Sequence, residues 1–112
     1  MDLTARELTS LRILAFFFYQ IGSFESAQRA LKCLMALVPQ DLWARGLFIA
    51  CENALEHYEK VLTLTEDLDE FSADKKQYRA LIYLRARALQ KTNQSAQAQA
   101  LMARLGGFHD PA

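Results

Sequence analysis

At 112 residues the chain has room for one domain of ordinary size, and its 52% hydrophobic content suffices for a single core. Thirteen basic and thirteen acidic side chains are interspersed to a formal charge of zero, which leaves no basic field to concentrate on nucleic acid or an anionic membrane. Cys33 and Cys51 stand at a spacing that fits no zinc ribbon, redox pair or disulfide framework, and are expected as reduced core thiols of a cytoplasmic protein.

The N-terminal MDLTARELTS carries acid and polar groups, and the apolar run from Leu11 to Phe18 is interrupted by Arg12 and too short to span a bilayer. Neither an export signal nor membrane insertion is expected. Thr4 with Glu7 makes a capping box, which predicts a first helix from Ala5 to about Ile21. Gly22 and Ser23 break it, and Ser23 is a candidate cap for a second helix from Phe24 to Val38, ended by the turn at Pro39, Gln40 and Asp41.

Asp41 is positioned to cap a third segment, Leu42 to Ala50. Asn53 either caps a fourth, Ala54 to Leu64, or sits inside one longer helix. The acidic stretch from Thr65 to Asp74 lacks sustained periodicity and suits a surface connection, with Ser72 and Asp74 as helix caps. A fifth helix is expected from Lys75 to Lys91, a turn at Asn93 to Ser95, and a sixth helix from about Ala96 to Leu105, ended by Gly106 and Gly107.

The helical pairs repeat. Ala27-x3-Leu31-x2-Leu34, Ala54-x3-Tyr58-x2-Val61 and Ala98-x3-Met102-x2-Leu105 share one pattern of small and large residues. Leu11-x2-Leu14-Ala15-x2-Phe18 matches Ile82-x2-Arg85-Ala86-x2-Leu89 with Arg85 as the mismatch. Ala15 and Ala86, Ala27 and Ala98, and Leu31 and Met102 are each 71 residues apart, so two tetratricopeptide periods of about 34 residues leave a surplus of about three. The first pair also follows that family's order of large and small residues, from Leu11 through Leu31 to Pro39, and Pro111 closes the last repeat one position late.

The expectation is an all-α chain of helical hairpins stacked as about three tetratricopeptide-like repeats, 5–40, 41–71 and 72–111, in one domain. The middle repeat is irregular, lacking a glycine turn and carrying the acidic insertion. Ala15, Ala27, Ala86 and Ala98 are small where paired helices approach closely. The alternative is a nonrepetitive helical bundle whose alanines coincide by chance.

Arrays of this kind hold peptides on the first helix of each pair. That face selects Arg12, Phe16, Tyr19 and Gln20 on the first helix and Tyr83, Arg87, Gln90 and Lys91 on the fifth. Phe16, Phe17, Phe18 and Tyr19 span more than one helix face, so either at least one meets a partner or the helix is buried all round. Trp43 is either a groove anchor or a core residue.

Chemistry finds little support. His57, expected on a charged helix face, and His109 in the tail are not at ligand spacing, no phosphate-cradling glycine loop occurs, and Glu66, Asp67, Asp69 and Glu70 follow no calcium-loop pattern. Cys33 or Cys51 as a nucleophile needs an oriented histidine that the sequence does not place nearby. No cofactor, no metal and no enzymatic activity are expected.

The stretch Gly22-x2-Glu25-x-Ala27 leading through Leu31, Leu34 and Leu37 to Pro39, then Leu42-x2-Arg45, then Leu84-Arg85-Ala86-Arg87-Ala88-Leu89 and on to Ala98 and Leu105, resembles the YscY-like small chaperones of type III secretion, the Y component of the Yersinia-type injectisome. The resemblance implies a cytosolic chaperone that binds a small export substrate, the X component, and brings it to the cytoplasmic domain of the export-gate protein. On that reading Phe16, Tyr19 and Trp43 anchor a substrate helix, while Arg12, Arg87 and Lys91 order its polar side. The competing class is a self-associating tetratricopeptide scaffold with its aromatic helix buried in a homodimer.

Overall fold

The computed structural model describes residues 4–105, which form an all-α chain of helical hairpins with no strand among them. The helices are α1 (Ala5–Gln20), α2 (Phe24–Leu37), α3 (Leu42–Ala54), α4 (Tyr58–Leu64), α5 (Lys75–Lys91) and α6 (Ser95–Leu105), with a 3-10 turn at Leu68–Phe71. They group into two compact units that divide after Leu55.

In the first unit α1 packs on α2 and α2 on α3. The capping box starts α1: the Thr4 N–H donates to Glu7 Oε1 at 3.0 Å, and the Glu7 N–H donates to Thr4 Oγ1 at 3.1 Å. Ala15, Ala27, Ala30, Leu31, Leu34, Ala44 and Cys51 form the core, flanked by Leu8, Leu11, Phe18 and Tyr19 from α1. Ala15 and Ala27 are fully buried, so the two backbones approach where the side chains are smallest. Leu14, expected on the core side, is 45% exposed, because Leu8, Leu11, Ala15 and Phe18 define a stripe from which it is rotated by roughly a quarter turn.

Gly22 ends α1 in the left-handed region at φ 81°, its N–H donating to the Tyr19 carbonyl and that of Ser23 to the Phe18 carbonyl. This pair of bonds is the glycine-terminated Schellman arrangement. Ser23 therefore serves the end of α1, and its side chain does not cap α2. Asp41 does cap α3, with Oδ1 accepting from the Ala44 N–H at 3.1 Å.

In the second unit α5 packs against α4, the 3-10 turn and α6. Val61, Thr65, Leu68, Phe71, Leu81, Ile82, Ala86, Leu89 and Ala98 are buried. Asp74 caps α5 by accepting from the Gln77 N–H at 3.1 Å, whereas Ser72 only closes the 3-10 turn. The stretch from Thr65 to Asp74 is thus more than a surface connection: its acids face outward, but Thr65, Leu68 and Phe71 face in. Gly106, Gly107, His109 and Pro111 lie outside the described residues.

Asn53 neither caps a helix nor continues one long helix. It lies inside α3, and the break comes at 55–57, where Glu56 adopts φ 62°. That conformation supplies the turn for which the sequence offers no glycine. His57 accordingly precedes α4 in this turn and is exposed, off any helix face.

The three left-handed residues among those described give the repeat its register. Gly22 and Glu56 are 34 residues apart, Glu56 and Asn93 are 37 apart, and helix starts at Phe24, Tyr58 and Ser95 keep the same two intervals. The equivalent of Ala27 is therefore the buried Val61, not the exposed Ala54, and Leu34 corresponds to Leu68. The surplus does not fall in 65–74, since α4 starts 17 residues before α5 and α2 starts 18 before α3; it lies in the longer α5, while in 65–74 the second helix of the middle pair gives way to a 3-10 turn.

Candidate protein-binding faces

From Ile13 to Ile21 α1 and its cap contain no charged residue. α2 covers the Ala15 side of this segment, and the helical period turns the remainder outward. Ile13 is 65% exposed, Phe17 52% and Ile21 59%, joined by Leu14 and Phe16. Residues 13, 17 and 21 recur every four positions, so they form a continuous ridge flanked by Leu14 on one side and Phe16 on the other.

The four aromatics divide between two duties. Phe16 and Phe17 are exposed, while Phe18 and Tyr19 pack against the core. Tyr19 meets Phe24 edge-on at 5.6 Å between ring centroids, closing the α1–α2 hairpin. The first helix is accordingly not buried all round. Tyr19 belongs more to the hairpin than to the outer face, while Gln20 is exposed beside the ridge.

Arg12, read in the sequence as a partner residue, is held within the unit. Its Nε and Nη2 donate to Asp41 Oδ2 at 3.1 and 2.5 Å, and Asp41 is nearly buried. The same carboxylate that caps α3 thus fixes the middle of α1. Trp43, in the first turn of α3, is 40% exposed, which places it on the surface.

In the second unit Tyr83, Gln90 and Lys91 are exposed on α5. The Arg87 guanidinium donates to the hydroxyls of Tyr58 and Tyr83, and these bonds raise its pKa further above its ordinary value. Ile13, Leu14 and Ile21 are not among the binding residues expected from the sequence, and Phe17 enters there only as one of the four consecutive aromatics. Their signal was present in the uncharged run, but the repeat pattern assigned Leu14 to the core and drew attention to the aromatics.

Both cysteines are free, but only Cys51 is a core residue; Cys33 is exposed on α2. Burial, with a smaller contribution from the neighbouring Glu52 charge, pushes the Cys51 thiol up to about 11. Among the described residues no group of three or more His, Cys, Asp or Glu side chains is arranged to hold a metal. Among the same residues no helix is long and apolar enough to cross a membrane. Compared with known proteins, the chain matches no family model, no curated protein and no solved structure.

Proposed function

We propose that this chain is a helical adaptor that holds an apolar helix of a small protein partner on the outer face of α1. The observation that carries this reading is the ridge of Ile13, Phe17 and Ile21 with Leu14 and Phe16 beside it, five large apolar side chains each between 44% and 65% exposed. A contiguous apolar patch of several hundred Å² is unusual on a free surface and typical of an interaction site. A ridge built at four-residue intervals complements an amphipathic helix with anchors one and two turns apart.

The resemblance to YscY-like chaperones supports a narrower form of the proposal. In it the partner is a small type III export substrate, held in the cytoplasm until it is passed to the export gate, and the chain itself performs no catalysis. A second reading, a homodimer through α1, draws on the same absence of charge, since two copies of an uncharged ridge meet without repulsion.

The test is co-expression with the reading frames that neighbour this one in its genome, followed by affinity capture and size-exclusion chromatography with light scattering. A small co-purifying protein that is lost on Phe17→Asp supports the adaptor. A monodisperse homodimer that captures no such protein replaces it with the self-associating scaffold.

A further inference from the structure

α5 carries Lys75, Lys76, Arg79, Arg85, Arg87 and Lys91 and not one acid. Arg85 turns inward to α4, where it donates to the Leu62 carbonyl and the Thr65 hydroxyl. Arg87 reaches the Tyr58 and Tyr83 hydroxyls from the outer face. Lys76, Arg79, Tyr83, Arg87 and Lys91 follow one another at intervals of three or four residues, which sets them on one face, opposite the buried Tyr78, Leu81, Ile82 and Leu89. Lys76, Arg79 and Lys91 form no ion pair among the described residues.

Two features make this face more than a solvated row of cations. Arg87 is held by two tyrosine hydroxyls, and a guanidinium with five N–H donors keeps others for a carboxylate. Beside it lies an open cleft of about 370 Å³ lined by Lys76, Arg79, Ala80, Tyr83 and Leu105. Ala80, Leu105 and the Tyr83 ring offer apolar surface, and the two cations stand around it.

We propose that this face of α5 docks an acidic amphipathic helix of a protein partner, with carboxylates meeting Arg79 and, two and three turns on, Arg87 and Lys91, and one apolar side chain seated in the cleft beside Tyr83. Arg79, Tyr83, Arg87 and Lys91 are four residues apart, a step of about 6 Å along the axis. A partner helix bearing Glu at the same interval presents charge at that step. A protein is favoured over a polyanion because the whole chain is neutral and the cleft beside the cations is lined in part by Ala80, Leu105 and the Tyr83 ring. The cleft between the cations takes an apolar side chain, which an amphipathic helix carries and a duplex backbone does not. The proposal does not depend on what α1 binds.

The experiment uses the full chain and a fluorescent synthetic helix of about 18 residues with Glu every fourth position and a single Leu anchor. Fluorescence anisotropy is read at low and moderate salt, with a Gln-for-Glu peptide as control. The expected result is saturable binding of the acidic peptide, weakened by salt and at least about tenfold by Arg79→Gln with Arg87→Gln, whose circular dichroism matches the parent. Equal binding of the Gln peptide, or unchanged binding by the double variant, overturns the proposal. So does tighter binding of duplex DNA or phosphatidylserine vesicles, or self-association that the same double variant abolishes, which assigns the face to a second copy.

Discussion

The guanidinium of Arg85 donates to the hydroxyl of Thr65 at 2.9 Å while that hydroxyl donates to the Val61 carbonyl at 2.7 Å. Arg85 also reaches the Leu62 carbonyl at 2.8 Å, so one cation satisfies the open C-terminal end of α4 from the neighbouring helix. The residue that breaks the repeat pattern is the one that ties α5 to the short helix. Arg85→Met leaves the buried Thr65 and a helix-end carbonyl without that donor, and is expected to cost about 1–3 kcal/mol. Urea denaturation measures it, and a variant as stable as the parent removes the tie from the account.

Glu56 occupies the left-handed region at φ 62° without a glycine's freedom. Glu56→Gly is expected to stabilise the protein by about 1 kcal/mol. Asn93→Gly, at φ 63°, gains less because asparagine tolerates that conformation. Gly22→Ala meets no atom within 4 Å, so its expected loss of about 1 kcal/mol comes from φ alone. Thermal melts of the three variants should rank in that order.

Asp41 joins two tasks, capping α3 through Oδ1 and pairing Arg12 through Oδ2. Asp41→Ala removes both and is expected to cost about 1–2 kcal/mol from the cap alone. Asp41→Asn keeps an acceptor for the Ala44 N–H and should retain most of that part. Chemical denaturation of both variants separates the cap from the ion pair.

Cys33 is exposed and Cys51 buried, so a chromogenic disulfide reagent should titrate one thiol in the native protein and two in guanidinium. The folded state raises the Cys51 pKa from 9.0 to about 11. The unfolded chain therefore gives up this proton first, and stability present below pH 9.0 is lost as pH rises toward 11. Replacing Cys51 by alanine should flatten that limb of the stability profile.

Phe17→Asp places a charge where the side chain is already half in water, and is expected to change stability by no more than about 0.5 kcal/mol. Leu31→Ala empties a fully buried position and is expected to cost about 2–5 kcal/mol. The contrast, read by denaturation, distinguishes the outer ridge of α1 from the core beneath it.

Helix existence and the two outer hairpins were legible because their signals are local: the Thr4–Glu7 box, Gly22, the Asp41 and Asp74 caps, and alanines at the close approaches. The middle of the chain was not. Its turn is made by a glutamate whose sequence gives no hint of positive φ, and Thr65 is buried because an arginine on another helix supplies its partner. The α1 ridge was half legible. Its lack of charge could be read directly, but which side faced α2 depended on packing, and Leu14 was assigned to the wrong side. Arg12 looked like a surface cation because the carboxylate that engages it lies on the far side of α2 in sequence.

Within each unit the packing joins each helix to its neighbours along the chain, α1 to α2 and α2 to α3, α4 to α5 and α5 to α6. Even the Arg12–Asp41 bond spans only 29 residues. Chains whose contacts are this local close small loops at low entropic cost and fold in microseconds to milliseconds. Stopped-flow refolding should therefore be over within its first milliseconds. The apolar ridge of α1 has correspondingly little time in a collapsed, half-formed state in which it could recruit another unfolded chain.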